Sequence, residues 1–271
     1  MNLHQRILTY NDCYLKGQTI RPKGVMVHST GANNPNLSRY VGPDDGLLGQ
    51  NPNNNHWNMS GVGACVHAFI GRLADGSIAS YQTLPWNWRG WHCGSGRSGS
   101  ANNTHISFEI CEDGLDDREY FDAVYREAVE LTAHLCELYG LDPLEDGVVI
   151  CHSEGYRRGV ASNHGDVMHW FPKFGKNMDG FRADVSRELK GDEDDMTQEQ
   201  FNQMMTEYER TKNPVPDNTP ADWEAPAVQW ARDNGLLAGD GAGNLMLHSN
   251  MTRAQFFVIL KKYHDHRKEI S

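Results

Sequence analysis

The chain has no long apolar run, no CxxC pair and no surplus of positive charge, and each absence closes off a class of function. Neither the opening MNLHQRILTYNDCYLKGQT nor any later stretch approaches the about 18 consecutive apolar residues of a membrane helix, and no signal peptide is legible. The expectation is a product made in a cytoplasm. Lys and Arg number 25 against 36 Asp and Glu, a formal charge of −11. A nucleic-acid binder needs a basic stripe to displace counterions from phosphates, and none occurs. The six cysteines, Cys13, Cys65, Cys93, Cys111, Cys136 and Cys151, are scattered. In a reducing compartment such thiols are expected to be free and buried.

What is present fits a folded, loop-rich protein: 271 residues, 38% hydrophobic, with 27 glycines. That length predicts two domains. Short β-branched or aromatic runs bounded by Gly, Asp or Asn predict strands over 24–30, 65–71, 77–84, 105–111 and 147–153. Between the last two, residues 116–140 place Phe121, Val124, Ala128, Leu131, Leu135 and Leu138 at helical spacing, with Gly140 as the stop. Strands with a covering helix predict an α/β domain, a mixed central sheet covered by helices. Residues 31–63, rich in Asn, Gly and Pro, form a connection far longer than a compact domain needs, and are read as a groove wall.

Composition shifts at KGDEDDMTQ. The expected organisation is a domain over 1–190, an acidic linker over 191–195 and a small all-α module over 196–271, with Thr197 and Gln200 opening a helix. MTQEQFNQMMTEY and MTRAQFFVILKKY align within that module at an offset of 55, and Trp223, Ala227, Trp230 and Ala231 form a helical stripe between them. This is an incomplete helical repeat.

Chemistry concentrates on a few positions. His28 closes VMVHST and His152 closes VVICHS. Period-2 geometry puts His28 on one face with Met26, and His152 on one face with Ile150, with Cys151 opposite and packing. Two histidines ending separate strands, the second followed by SEGYRRGVASNHGDVMHW, point to a metal. Zinc takes His and carboxylate ligands, and a catalytic site keeps three protein ligands with a fourth position open. The third must come from the turn SNHGD; spacing alone does not choose between His164 and Asp166. On HISFEIC, alternation sets Ser107, Glu109 and Cys111 opposite Ile106, Phe108 and Ile110. A carboxylate there is costly to bury unpaired, so Glu109 either has a cationic partner or faces a wet site. His67 and His105 alternate with apolar residues and are read as core histidines.

VHST on an early strand, WHCG, HISFEIC and HSEG…NHGDVMHWFPKFG together resemble the zinc-dependent N-acetylmuramoyl-L-alanine amidases related to peptidoglycan recognition proteins, in the branch common in phage endolysins of Gram-positive hosts. The likeness covers roughly residues 20–180. It implies one Zn2+ per chain held by His28, His152 and Asp166, with Glu109 as acid–base catalyst. Family members often carry Lys-x-Asp-Pro-Gly at the last ligand; here HGDVM stands in its place, so the resemblance assigns the oxyanion-stabilising part to His164. A histidine there predicts activity falling below about pH 6 as histidines protonate and metal is lost. Trp86, Trp88, Trp91 and His92, in LPWNWRGWHCG, are candidates to line the groove and stack on sugars, and Arg89 to hold a peptide carboxylate.

The second module is similar to an S-layer homology repeat, with Gln255 where glutamate is usual; the likeness implies Arg253 as a contact to secondary cell-wall polysaccharide. So few repeats leave apolar faces uncovered, so the module is expected to pair with another copy, as a homodimer, or to dock. The functional expectation is hydrolysis of the bond between N-acetylmuramic acid and L-alanine in peptidoglycan, by a bacteriolytic endolysin of a phage or prophage that reaches the cell wall through holin-type release. The alternatives are a non-catalytic peptidoglycan-binding protein, a host autolysin, or a wall-anchoring protein dominated by its second domain.

Overall fold

The computed structural model describes residues 1–191, 201–206, 208, 218–239, 244–248 and 250–269. The chain divides into two units, Met1–Asp192 and Glu193–Ser271. The expected acidic run and the Thr197/Gln200 helix start lie outside the described residues.

Six strands form one sheet in the first unit: β1 (Leu3–Gln5), β2 (Gly24–Ser29), β3 (Ala68–Arg72), β4 (Ile78–Gln82), β5 (His105–Ile110) and β6 (Val149–Cys151). Their order is β1-β4-β3-β5-β2-β6. Only β3 and β4 run antiparallel; every other pair is parallel. β2 lies between β5 and β6, with His28 opposite Glu109 and Val27 opposite Cys151.

Alternation along these strands makes two unlike faces. Val25, Val27, Ile106, Phe108, Ile110, Ala68 and Ile70 turn to helices α2 (Arg118–Tyr139) and α4 (Met178–Leu189) and join Phe121, Val124, Ala128, Leu131, Leu135, Phe181 and Val185 in one apolar core. Each large side chain fully buried there contributes roughly 1.5–3 kcal/mol. Helix α2 starts where the Asp117 carboxylate accepts from the Tyr120 amide at 3.0 Å, and stops at Gly140, whose φ of 62° is left-handed. Leu138 departs from the expected stripe: it is 52% exposed, because Tyr139 and Leu141 pack on the core at that end instead.

Three further elements carry no strong periodic signal: β1, α1 (Asp12–Lys16) and α3 (His152–Arg157). The last corrects the expected strand over 147–153. Its extended part ends at Cys151, and His152 is the first residue of α3, where the Glu154 carboxylate accepts from the Cys151 amide at 3.1 Å.

The 31–63 connection packs rather than floats. Leu37, Tyr40, Val41 and Leu48 are buried with Phe69, Tyr81 and Cys111 on the face away from α2. The expectation of six free thiols is also corrected. Cys13 and Cys65, 52 residues apart, form a disulfide with a Cα–Cα distance of 6.4 Å. The Asn11 side chain draws the two segments together by donating to the carbonyls of Trp57 at 3.1 Å and Ala64 at 3.0 Å. Cys93, Cys111, Cys136 and Cys151 are free and buried.

In the second unit, Ala225–Asp233 and Arg253–Glu269 are helices, and residues 201–206 are helical. Thr252 and Gln255 cap the last helix reciprocally: the Thr252 amide donates to Gln255 Oε1 at 2.7 Å and the Gln255 amide to Thr252 Oγ at 3.2 Å. The Trp223–Ala231 stripe is not a buried one, with Trp223 81% and Trp230 51% exposed.

Candidate active site

The face away from α2 carries the polar strand residues, and His28 on β2 is held there almost fully buried. His152, the first residue of α3, comes alongside it, the two rings edge to face at 4.9 Å. Gly155 makes that approach possible, since a Cβ there would stand 2.7 Å from the Met26 methyl and 3.1 Å from Ala161 Cβ. Arg182 of α4 fastens the helix from outside, donating to the Glu154 carboxylate at 3.1 Å and the Val149 carbonyl at 2.9 Å. Asp166 arrives on the loop after α3, anchored by the fully buried Val167 that follows it.

Three ligand-type atoms meet at this point. His28 Nδ1 lies 3.0 Å from Asp166 Oδ2, His152 Nδ1 lies 3.3 Å from the same oxygen, and the two Nδ1 atoms are 3.2 Å apart. With a proton on each Nδ1 the Asp166 oxygen accepts from both rings, but the two Nδ1 atoms are then donors facing each other 3.2 Å apart with no acceptor between them. A cation satisfies all three. Tetrahedral ligands with bonds of about 2.0–2.1 Å stand about 3.3 Å from one another, so the observed triangle has the dimensions of three corners of a zinc site. Among the described residues this is the one group of three or more His, Cys, Asp or Glu side chains so placed. Burial pushes the pKa of His28 down, which keeps the ring neutral and able to ligate. For Asp166 burial acts upward, but hydrogen bonds from His152 and His28 outweigh it and hold the carboxyl well below the ordinary range.

Around the triad lies an open cavity of about 470 Å³, lined among others by Thr30, Trp91, His92, Glu109, Ser162 and His164. Glu109 sits beside His28 in register, and its Oε2 is buried without a hydrogen-bond partner among the described residues. Of the two alternatives for this carboxylate, a cationic partner is thus absent among those residues, and it faces the cavity. Burial first, then the charges of Asp166 and Glu112, push its pKa well above the ordinary value. That is how a carboxyl is tuned for proton transfer near neutrality.

His164 lies at the exposed mouth, its ring 4.7 Å from that of His152 and its Nδ1 3.1 Å from Ser162 Oγ. Of the five candidate substrate contacts, Trp91 and His92 line the cavity and Trp86, Trp88 and Arg89 do not. The turn in which the Trp88 amide donates to the Pro85 carbonyl at 2.8 Å sends Trp86 against the helix-side core and the ring of His67. Arg89 donates to Asn103 Oδ1 at 2.7 Å and covers the Trp91 ring, 5.3 Å from its centroid. Trp88 stacks on Tyr14. His92 has a further contact the sequence did not disclose, its Nδ1 lying 3.0 Å from His28 Nε2. His67 and His105 are buried and hydrogen-bonded, to the Trp88 and Gly147 carbonyls, as core histidines. In the second unit Arg253 shares an open cavity with Met251, Thr252, Phe256 and Phe257.

Sequence reasoning missed Asn102 and Ser162. Asn102, fully buried, accepts from the amides of His92 at 2.8 Å and Cys93 at 3.2 Å and donates to the Gly94 carbonyl at 3.0 Å, shaping the cavity wall. Asn in SANNT carries no local signal of such a role.

A family model described as N-acetylmuramoyl-L-alanine amidase matches residues 18–168, a span that contains the triad and Glu109. The chain belongs to that family. Its reaction, hydrolysis of the amide that joins peptide to muramic acid in peptidoglycan, is therefore the activity of this amidase. Among solved structures, the hydrolase AmiA of Staphylococcus aureus, crystallised with its ligand, is similar at 19% identity over 70% of this chain and 83% of that one, with a TM-score of 0.50, which supports the α/β fold. PlyL at 19% identity covers 68% of this chain and 97% of that one with a TM-score of 0.49. A mutant endolysin from Bacillus subtilis at 24% identity covers 68% and 99% with a TM-score of 0.46. No curated protein was found to match. No helix among the described residues is long and apolar enough to cross a membrane.

Proposed function

We propose that the amidase is zinc-dependent, with His28, His152 and Asp166 as ligands, and acts as a phage or prophage endolysin. The observation that carries the metal reading is the triangle of His28 Nδ1, His152 Nδ1 and Asp166 Oδ2, with edges of 3.0, 3.2 and 3.3 Å. A bound zinc ion supplies Lewis acidity toward the scissile carbonyl and toward water. Glu109, with an unpartnered oxygen facing the cavity, accepts a proton from the attacking water. It then delivers that proton to the departing amine of L-alanine, so that water and amide become the lactyl carboxylate and a free peptide amine. His164 at the mouth donates a hydrogen bond to the developing oxyanion. Trp91, 48% exposed on the cavity wall, offers an apolar face to a sugar or peptide stem.

In the second unit we assign Arg253 and its apolar neighbours to cell-wall polymer, in keeping with the S-layer-homology likeness, or to pairing between copies. Light scattering separates the two: a monomer sinks the pairing, and unchanged wall retention by Arg253→Ala sinks the polymer contact. The endolysin reading follows the family resemblance of the catalytic motifs and requires a holin-type release.

The deciding experiment measures zinc content and the release of N-terminal alanine amines from purified Gram-positive peptidoglycan, for the parent, Asp166→Ala and Glu109→Ala. Loss of zinc in the first, and retained zinc with hydrolysis reduced about 10²–10⁴-fold in the second, supports the roles. Zinc retained by Asp166→Ala removes Asp166 from the ligand set. A zinc-loaded parent that releases no amine from any wall favours the peptidoglycan-binding alternative.

A further inference from the structure

The hydroxyl of Ser162 occupies a junction that the reaction scheme leaves unused. It lies 3.3 Å from His152 Nε2, 3.1 Å from His164 Nδ1 and 3.1 Å from the Cys93 carbonyl. The first contact has a definite polarity if His152 ligates through Nδ1, the nitrogen facing His28 and Asp166. Its ring proton then sits on Nε2, and Ser162 Oγ accepts it. A hydroxyl has one hydrogen of its own to give. The Cys93 carbonyl can only accept, and its second lone pair is open beside the Ser162 amide bond, so the hydroxyl hydrogen goes there at 3.1 Å. The lone pairs of Oγ are thereby left to face the His152 ring.

We propose that Ser162 is a positioning residue that sets the tautomer of His152, its oxygen accepting the Nε2 proton so that Nδ1 stays bare for metal. It is no catalytic residue, since it acts only through that ring. The other ligating histidine is steadied from the same wall: His28 Nε2 lies 3.0 Å from His92 Nδ1, and His92 and Cys93 are both fixed by Asn102. Segment 92–93 and Ser162 thus brace the outer nitrogens of both rings. Gly94, at φ +64°, completes the fit: a Cβ there would stand 3.1 Å from Ser162 Oγ.

The inference rests on the metal reading above, and the test separates the two. In the full chain, Ser162→Ala removes the hydroxyl while the backbone bond from residue 162 to the Cys93 carbonyl remains, and Ser162→Thr keeps the hydroxyl. Two quantities are read: zinc affinity by competition with a chromophoric chelator, and the tautomer of His152 by ¹⁵N NMR of the metal-free protein. We expect Ser162→Ala to bind zinc about 10–100-fold more weakly, as loss of an outer hydrogen-bond partner to a ligating histidine does. Its His152 is expected to become a tautomer mixture, whereas Ser162→Thr stays close to the parent. Equal zinc affinity and an unchanged His152 tautomer in Ser162→Ala overturn the proposal; so does equal loss in the Ala and Thr variants, which would mean packing rather than the hydroxyl. A parent that binds no zinc refutes the metal reading, while the metal-free tautomer still decides the part played by Ser162.

Discussion

On β5, Ile106, Phe108 and Ile110 face α2 and α4, while Ser107, Glu109 and Cys111 face the other way. Residues one position apart thus live under opposite rules. The helix-covered face is uniformly apolar and fully buried. The opposite face holds polar groups of two kinds. His67 is satisfied: its Nδ1 accepts from the Ser107 amide at 3.0 Å, its Nε2 donates to the Trp88 carbonyl at 2.7 Å, and burial lowers its pKa to about 4, so it stays neutral. Glu109 is half-buried, with its Oε2 buried and left over. The difference teaches where the chemistry lies: the fold satisfies the core histidines His67 and His105 and leaves the carboxylate that must handle a proton unsatisfied.

Substitutions sharpen this comparison through the sign of their effect. Phe108→Ala on the helix side should destabilise the amidase unit by about 3–5 kcal/mol in denaturant unfolding, by lost transfer energy and a residual cavity. A loss below 1 kcal/mol would show that core to be loosely packed. Replacing both Cys13 and Cys65 by serine frees a long loop in the unfolded chain and should cost about 2–4 kcal/mol. Reductant should reproduce that loss in the parent and leave the double variant unmoved.

Glu109→Gln should act in the opposite direction. The folded-state pKa of this carboxyl is raised, so its neutral form favours the fold. Stability is fully present below the ordinary carboxyl value and is lost as pH rises through the raised one. In metal-free protein the Gln variant should therefore melt above the parent by roughly a few °C near pH 8. The two melting curves should converge at about pH 4, near the ordinary carboxyl value. A Gln variant that melts lower at every pH breaks the comparison. The smallest effect is expected at Leu138, which is 52% exposed at the end of α2. Leu138→Gln should change unfolding free energy by less than about 0.5 kcal/mol, and a larger loss would mean that the helix end is covered.

Much of the sheet was legible because period 2 is a property of the backbone. Alternation in VMVHST and HISFEIC put His28 and Glu109 on one side and their apolar neighbours on the other, as observed; His152 reaches the same site as the first residue of α3 rather than from the strand. The stripe of α2 and its stop at Gly140 were legible for the same reason, down to the last turn. The short elements β1, α1 and α3 were not, because a few residues carry too little pattern. In the second unit the stripe residues Trp223 and Trp230 are exposed: helical spacing says which residues share a face, and nothing about what covers it.

The sequence by itself thus determined the family, the sheet faces and two of the three ligand candidates, since each is written in spacing along a single segment. Tertiary structure decided the rest. Asp166 stands at the histidines across 138 residues of chain, Ser162 reaches the Cys93 carbonyl across 69, Cys13 meets Cys65 across 52, and Trp91 rather than Trp86 lines the cavity. Each depends on how loops close in space over an already formed sheet, and the local periodicity of one strand carries no information about that closure.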